Sequence, residues 1–112
     1  MTESEFLARA AAALDALELA LEQAADTSEL DLECSRSGNV LEVELIEHGS
    51  KIIINSQAPM QEIWVASKSG GFHYKPDGER WINTRDGSEL RAALEHMIQA
   101  QSGTLLKLRQ AE

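Results

Sequence analysis

The spacing of apolar positions changes period twice along the chain. Phe6, Ala10, Ala13, Leu14, Leu17, Leu21 and Ala24 recur at steps of three and four, which places them on one face of an amphipathic helix. Thr2 followed by Glu5 predicts a capping box at its start, each side chain satisfying a backbone N–H that the first turn leaves open. The period then falls to two. Leu30, Leu32 and Cys34 alternate with Glu29, Asp31 and Glu33, the pattern of a half-buried strand over 29–34. Ser37-Gly38-Asn39 signals a turn, and Leu41, Val43 and Leu45 alternate with Glu42 and Glu44 in a second strand. His48-Gly49-Ser50 turns the chain again, before a β-branched strand over 51–55 that carries Ile52, Ile53 and Ile54.

Ala58-Pro59 interrupts the pattern ahead of a fourth strand, 62–67. Gly70-Gly71 precedes a short fifth strand over 72–75, Pro76-Asp77-Gly78 is a tight turn, and 80–83 forms a sixth strand. The period then returns to that of a helix. Asp86 with Glu89 predicts a second capping box, Leu90, Ala93, Leu94, Met97 and Ile98 form an apolar face, and Gly103 ends the helix. The tail 104–109 reads as a packed extended segment. A helix, about six antiparallel strands on short turns and a second helix most simply give an α+β fold. In it, both helices cover one face of the sheet as a two-layer sandwich.

A chain of 112 residues buries roughly two-thirds of its unfolded surface, and residues 1–112 are expected to form a single domain. Nineteen acidic residues against ten basic ones leave a charge of −9, which argues against nucleic acid, whose phosphates require clustered Lys and Arg. The lone cysteine, Cys34, excludes an intramolecular disulfide framework and any multi-cysteine metal site. No apolar run reaches the length of a membrane span, and MTESEFLARA lacks the layout of a signal peptide.

The charge is unevenly placed. Residues 1–33 hold nine carboxylates and one base, Arg9, for −8; residues 34–112 hold ten acids and nine bases, for −1. On the predicted first helix Asp15, Glu18, Glu22 and Asp26 also step by three and four, a stripe in which neighbours repel by a few tenths of a kcal/mol, roughly. Glu29, Asp31 and Glu33 continue it on the strand, roughly 7 Å apart. Such asymmetry suits a cationic partner, either a metal or a basic protein surface. Carboxylate oxygens favour hard cations, and an open surface binds them weakly with several waters retained.

Catalytic signatures are missing from the motifs: there is no phosphate loop, dinucleotide fingerprint or nucleophile elbow. His48, His73 and His96 fall in different elements without zinc-type spacing, and read as surface or turn residues. Cys34 reads as a buried structural thiol. Trp64 is more informative. With Ile63 and Val65 turned toward the helices, alternation puts Trp64 outward beside Asn55, where an indole is a favoured interface anchor. Trp81 reads as core.

The run from Gly49 through Pro59, with Ile63-Trp64-Val65-Ala66-Ser67-Lys68, Gly70-Gly71-Phe72-His73-Tyr74, Trp81-Ile82 and Asp86-Gly87, resembles the frataxin family in its bacterial form. Ser4-Glu5-Phe6 and the acidic helix–strand unit agree, so the resemblance covers nearly the whole chain. It implies the same two-layer sandwich, weak surface binding of ferrous or ferric iron, and a part in iron–sulfur cluster assembly through docking on the cysteine desulfurase and its scaffold protein. Carried over by position, the iron-binding acidic ridge is Glu18, Glu22, Asp26, Glu29, Asp31 and Glu33, and the partner-binding sheet residues are Asn55, Gln57 and Trp64. Where family members often have adjacent acidic pairs, this chain has Glu18-Leu19 and Glu22-Gln23 followed by Ala24-Ala25, which implies fewer bound ions.

The expectation is a non-enzymatic, monomeric, bacterial cytoplasmic protein that regulates cluster assembly. The alternatives are an iron-storing or ferroxidase-type protein and, more generically, an acidic interaction module without a metal role.

Overall fold

The computed structural model describes residues 1–108. Helix α1 spans Glu3–Asp26. The capping box forms as its spacing requires: Thr2 Oγ1 accepts from the Glu5 backbone N–H at 3.1 Å, and the Thr2 N–H donates to Glu5 Oε1 at 3.0 Å. The N–H donation from Thr2 also holds the Glu5 carboxyl below its ordinary value. Phe6, Ala10, Leu14, Leu17, Ala20 and Leu21 are buried, with Ala13 and Ala24 packed at the margin. The predicted face is the one that enters the core.

Six strands follow: β1 (Leu32–Ser37), β2 (Val40–Leu45), β3 (Ser50–Gln57), β4 (Glu62–Ser67), β5 (Gly70–Asp77) and β6 (Arg80–Asn83). They pair in chain order, every pair antiparallel. Short 3₁₀ turns, Ile46–His48 and Ala58–Met60, carry the chain from β2 to β3 and from β3 to β4. Between β1 and β2, Gly38 takes φ +58°, a left-handed conformation open to glycine at little cost. Asn39 ties that hairpin to β3, its side-chain amide donating to the Ser56 carbonyl at 2.9 Å.

The first strand begins later than the 29–34 predicted from alternation. Glu29 and Leu30 lie before it; the Leu30 N–H is taken by Ser28 Oγ at 3.0 Å, and ladder pairing opens only at Leu32 opposite Leu45. The phase of the alternation is unchanged. Leu32 and Cys34 face the helices, Glu33 faces away, and Arg36 takes the next helix-side position. Strands β3 and β5 extend beyond the predicted 51–55 and 72–75, and Gly70-Gly71 lies inside β5 rather than ahead of it.

Helix α2 spans Leu90–Ser102, and its cap differs from the predicted one. Glu89 is the N-cap, its Oε2 accepting from the Arg91 N–H at 2.9 Å. Asp86 instead binds the Ser88 N–H and hydroxyl, which lowers its carboxyl from the usual value. Buried Asn83 holds this corner, its side-chain oxygen accepting from the N–H groups of Arg85 and Asp86 at 2.7 and 3.3 Å. Gly103 closes the helix at φ +76°, donating to the Gln99 carbonyl. Leu106 and Leu108 then return to the core; the predicted tail runs to Arg109, which lies outside the described residues.

Both helices pack on one face of the sheet. Leu41, Val43, Leu45, Ile52, Ile54, Ile63, Val65, Tyr74 and Trp81 meet them there. Trp81 is core, in edge-to-face contact with Phe6 at a centroid distance of 5.9 Å. Among the described residues no helix is long and apolar enough to cross a membrane.

This packing separates two leucines of α1. Leu14 is fully buried and Leu19 is 52% exposed. Leu14→Ala should lower the unfolding free energy by about 3 kcal/mol, and Leu19→Ala by about 0.5 kcal/mol or less. Chemical denaturation of the two variants checks this, and equal losses would mean that α1 does not dock through the Phe6–Leu21 face.

Candidate functional site

The carboxylates of the acidic ridge gather where α1 lies over the edge strand β1. Glu18 is half-buried, and Glu22, Asp26, Glu29, Asp31 and Glu33 are exposed. The burial pattern of β1 sends Glu33 to the face opposite the helices, whereas Glu18 and Glu22 act on Cys34 from the helix side. The ridge therefore wraps around a sheet edge instead of lying in one plane. Among the described residues none of its six side chains is in an ion pair. Asp15, the first carboxylate of the helical stripe, is different: Arg36 on β1 binds it, so the uncompensated field begins one turn later.

The edge holds a further acidic contact that local reading misses. Glu33 stands directly opposite Glu44 in the β1–β2 register, a like-charge pair that disfavours the sheet. Glu44 in turn faces Lys51, whose ammonium binds Glu42 Oε1 at 2.7 Å and is held above its ordinary value by that bond. The alternation of Glu42 and Glu44 was visible in the sequence; their placement beside Glu33 follows only from register.

Cys34 is half-buried beneath the ridge. Burial first, then the Glu22 and Glu18 carboxylates, push its thiol up to about 12. In the free protein it stays protonated at neutral pH. Among the described residues no three His, Cys, Asp or Glu side chains converge on a point that could hold a metal ion. The ridge presents oxygen ligands as an open array.

A second surface lies on the uncovered face of the sheet. Trp64 pairs with Asn55 of β3 on one side and with His73 of β5 on the other. Gln57 faces Glu62, and its amide reaches Asn55 Oδ1 at 3.5 Å. The predicted residues Asn55, Gln57 and Trp64 thus share one patch, where Ile53, Asn55, Trp64, Ala66, Gly71 and His73 line a shallow hollow. Trp64 points outward as alternation requires, but it is half-buried. Its indole stacks on His73 with centroids 4.4 Å apart and planes 8° from parallel, and its N–H donates to Glu62 Oε1 at 2.8 Å. His73 and Glu62 are the residues of this patch that sequence reasoning overlooked. His48 and His96 are exposed and stand apart from it.

Two strand spacings separate β1 from β3, the nearer strand of this patch, roughly 10 Å, a little more than the screening length of about 8 Å at physiological ionic strength. The two surfaces are close neighbours of different chemistry, one an open array of carboxylates and the other a shallow hollow beside a stacked indole and imidazole.

Comparison with known proteins agrees with this architecture. The family model described as a frataxin-like domain matches residues 1–104. The iron-sulfur cluster assembly protein CyaY of Janthinobacterium sp. (strain Marseille) is 65% identical over 111 residues, 99% of each chain. Frataxin from Psychromonas ingrahamii superposes with a TM-score of 0.82 at 31% identity, covering 98% of this chain and 100% of its own. Trimeric frataxin from the yeast Saccharomyces cerevisiae, complexed with ferrous, gives 0.72 at 25% identity over 86% of this chain and 87% of its own. A model match across nearly the whole length and the same helix–meander–helix order place the chain in the frataxin family.

Proposed function

We propose that this chain is a non-enzymatic, iron-binding regulator of iron–sulfur cluster assembly, acting as a single 1–112 unit and as a monomer in the bacterial cytoplasm. The name of its 65% identical relative and the ferrous complex of the yeast protein support the pathway and the metal. The observation that carries the reading is the ridge itself: six carboxylates without ion-pair partners among the described residues, on a chain whose other segment is nearly neutral.

An uncompensated field of this kind steers a basic surface into contact and makes the encounter sensitive to salt. In this reading the ridge meets a basic patch on the cysteine desulfurase, while Asn55, Gln57 and Trp64 contact the desulfurase–scaffold assembly. Ferrous or ferric iron is cargo and modulator. Bound to Glu18, Glu22, Asp26, Glu29, Asp31 and Glu33, it cancels part of the charge and weakens docking. Iron storage or ferroxidase chemistry would instead require closely spaced, preorganised carboxylates, and an array spread around a sheet edge favours docking. Measuring cluster formation by the desulfurase–scaffold pair, with and without this protein across a range of iron concentrations, tests the proposal.

Iron should perturb the amide signals of the six ridge residues with micromolar or weaker affinity, and other divalent cations should compete, because oxygen ligands on an open face discriminate poorly. Perturbations centred on His48, His73 or His96 would remove the ridge assignment. Because the ridge is self-repelling, Glu18→Gln with Glu22→Gln should melt no lower than the parent in low salt, with a gain of roughly a few tenths of a kcal/mol. A clear fall in melting temperature would make these side chains structural partners instead.

The two surfaces should also fail differently. Neutralising Glu18, Glu22 and Asp26 together should slow association with the desulfurase and flatten its salt dependence. Trp64→Ala should leave the fold and the salt dependence intact and remove about 2 kcal/mol or more of binding. Stopped-flow association at several ionic strengths distinguishes the two losses.

A further inference from the structure

Charge steering and apolar contact leave one side chain of the sheet patch unexplained. Glu62 is only 5% exposed, although alternation on β4 aims it with Trp64 at the face that no helix covers. A carboxylate withdrawn from water is unfavourable unless it is hydrogen-bonded. Here the same oxygen, Oε1, accepts from the Trp64 indole N–H at 2.8 Å and lies 3.3 Å from His73 Nδ1. The two rings that supply these groups stack on each other. Three side chains from two adjacent strands therefore close a triangle, of which two sides hold the indole and the third ties Glu62 to His73.

A tryptophan on an open sheet face can turn about two side-chain torsions, and a partner that binds it must remove that freedom. A ring already held in place avoids much of this cost. We propose that Glu62 and His73 are positioning residues for Trp64, fixing the indole before docking so that the partner receives a preset apolar ring. The inference rests on the docking reading above and adds a statement about the partner. Because the indole N–H is committed to Glu62, the complementary surface is an apolar pocket flanked by imidazole contact, with no acceptor for that N–H.

Labelled with nitrogen-15, the full chain reports on Trp64 and Trp81 through separate indole signals. In Glu62→Ala the Trp64 indole N–H should exchange with solvent on the order of tenfold faster or more, with Trp81 unmoved. Affinity for the desulfurase–scaffold assembly should fall by about tenfold. Glu62→Gln keeps an acceptor and should restore most of both. Unchanged Trp64 exchange in Glu62→Ala overturns the proposal, as does a loosened indole with parental docking, or a Gln variant that fails as completely as Ala. Should Glu62→Ala not fold, His73→Ala is read in the same two ways. Trp64→Ala distinguishes the two claims: if it docks at parental affinity the docking reading fails, and the partner half of this inference with it, whereas indole exchange alone decides whether Glu62 holds the ring.

Discussion

Burial of one face of a six-stranded meander beneath two helices governs where every polar group of this protein can be. Leu41, Val43, Leu45, Ile52, Ile54, Ile63 and Val65 meet the helices, and period-two alternation then sends their neighbours to the open side. That side receives Glu33, Glu42, Glu44, Lys51, Asn55, Trp64 and His73. Helix α1, with 24 residues, is about 36 Å long, against roughly 20 Å for a six-residue strand. A helix of that length displays a long solvent-facing stripe while its other face covers the sheet.

The sheet edge explains part of the acidity. An unpaired strand invites another chain to add to it, and charged side chains discourage this. Glu33 and Arg36 on β1, with Asp31 just before it, serve that purpose. Glu18, Glu22 and Asp26 lie on the helix, where edge protection does not require them, and the Asp15–Arg36 contact shows that this helix and strand can form an ion pair where a base is present. Among the described residues the remaining ridge carboxylates have no such base. Their mutual repulsion, together with Glu33 opposite Glu44, is a standing cost to stability, as expected where a surface is shaped by what it meets rather than by the fold.

The sheet patch follows a different logic. Two of its donors bond within the chain, the Trp64 indole N–H to Glu62 and the Gln57 amide to Asn55. It offers shape and apolar area where the ridge offers field. Roughly 10 Å separates β1 from the nearer strand of the patch, and in the docking proposed above one partner spans both, attracted by the first and held by the second.

Local spacing was sufficient for whatever depends on a residue's near neighbours in the chain. The Phe6–Leu21 face, the Thr2–Glu5 box, the Gly103 stop, the inward phase of Leu32 and Cys34, the outward phase of Trp64 and the core position of Trp81 all follow from periods of 3.6 and 2 or from capping chemistry. Pairing across the sheet does not. The start of β1 waited on Leu45 as a ladder partner for Leu32, and Asp86 lost the predicted helix cap to Glu89 because Asn83 and Ser88 engage it in the preceding turn. The contacts Asp15–Arg36, Glu33–Glu44 and Glu62–Trp64–His73 join residues that only the register and the helix position bring together. The sequence by itself determined which side of each element a residue occupies; the tertiary structure decided which residue it meets there, because register is set by the whole alternating sheet and no short segment encodes it.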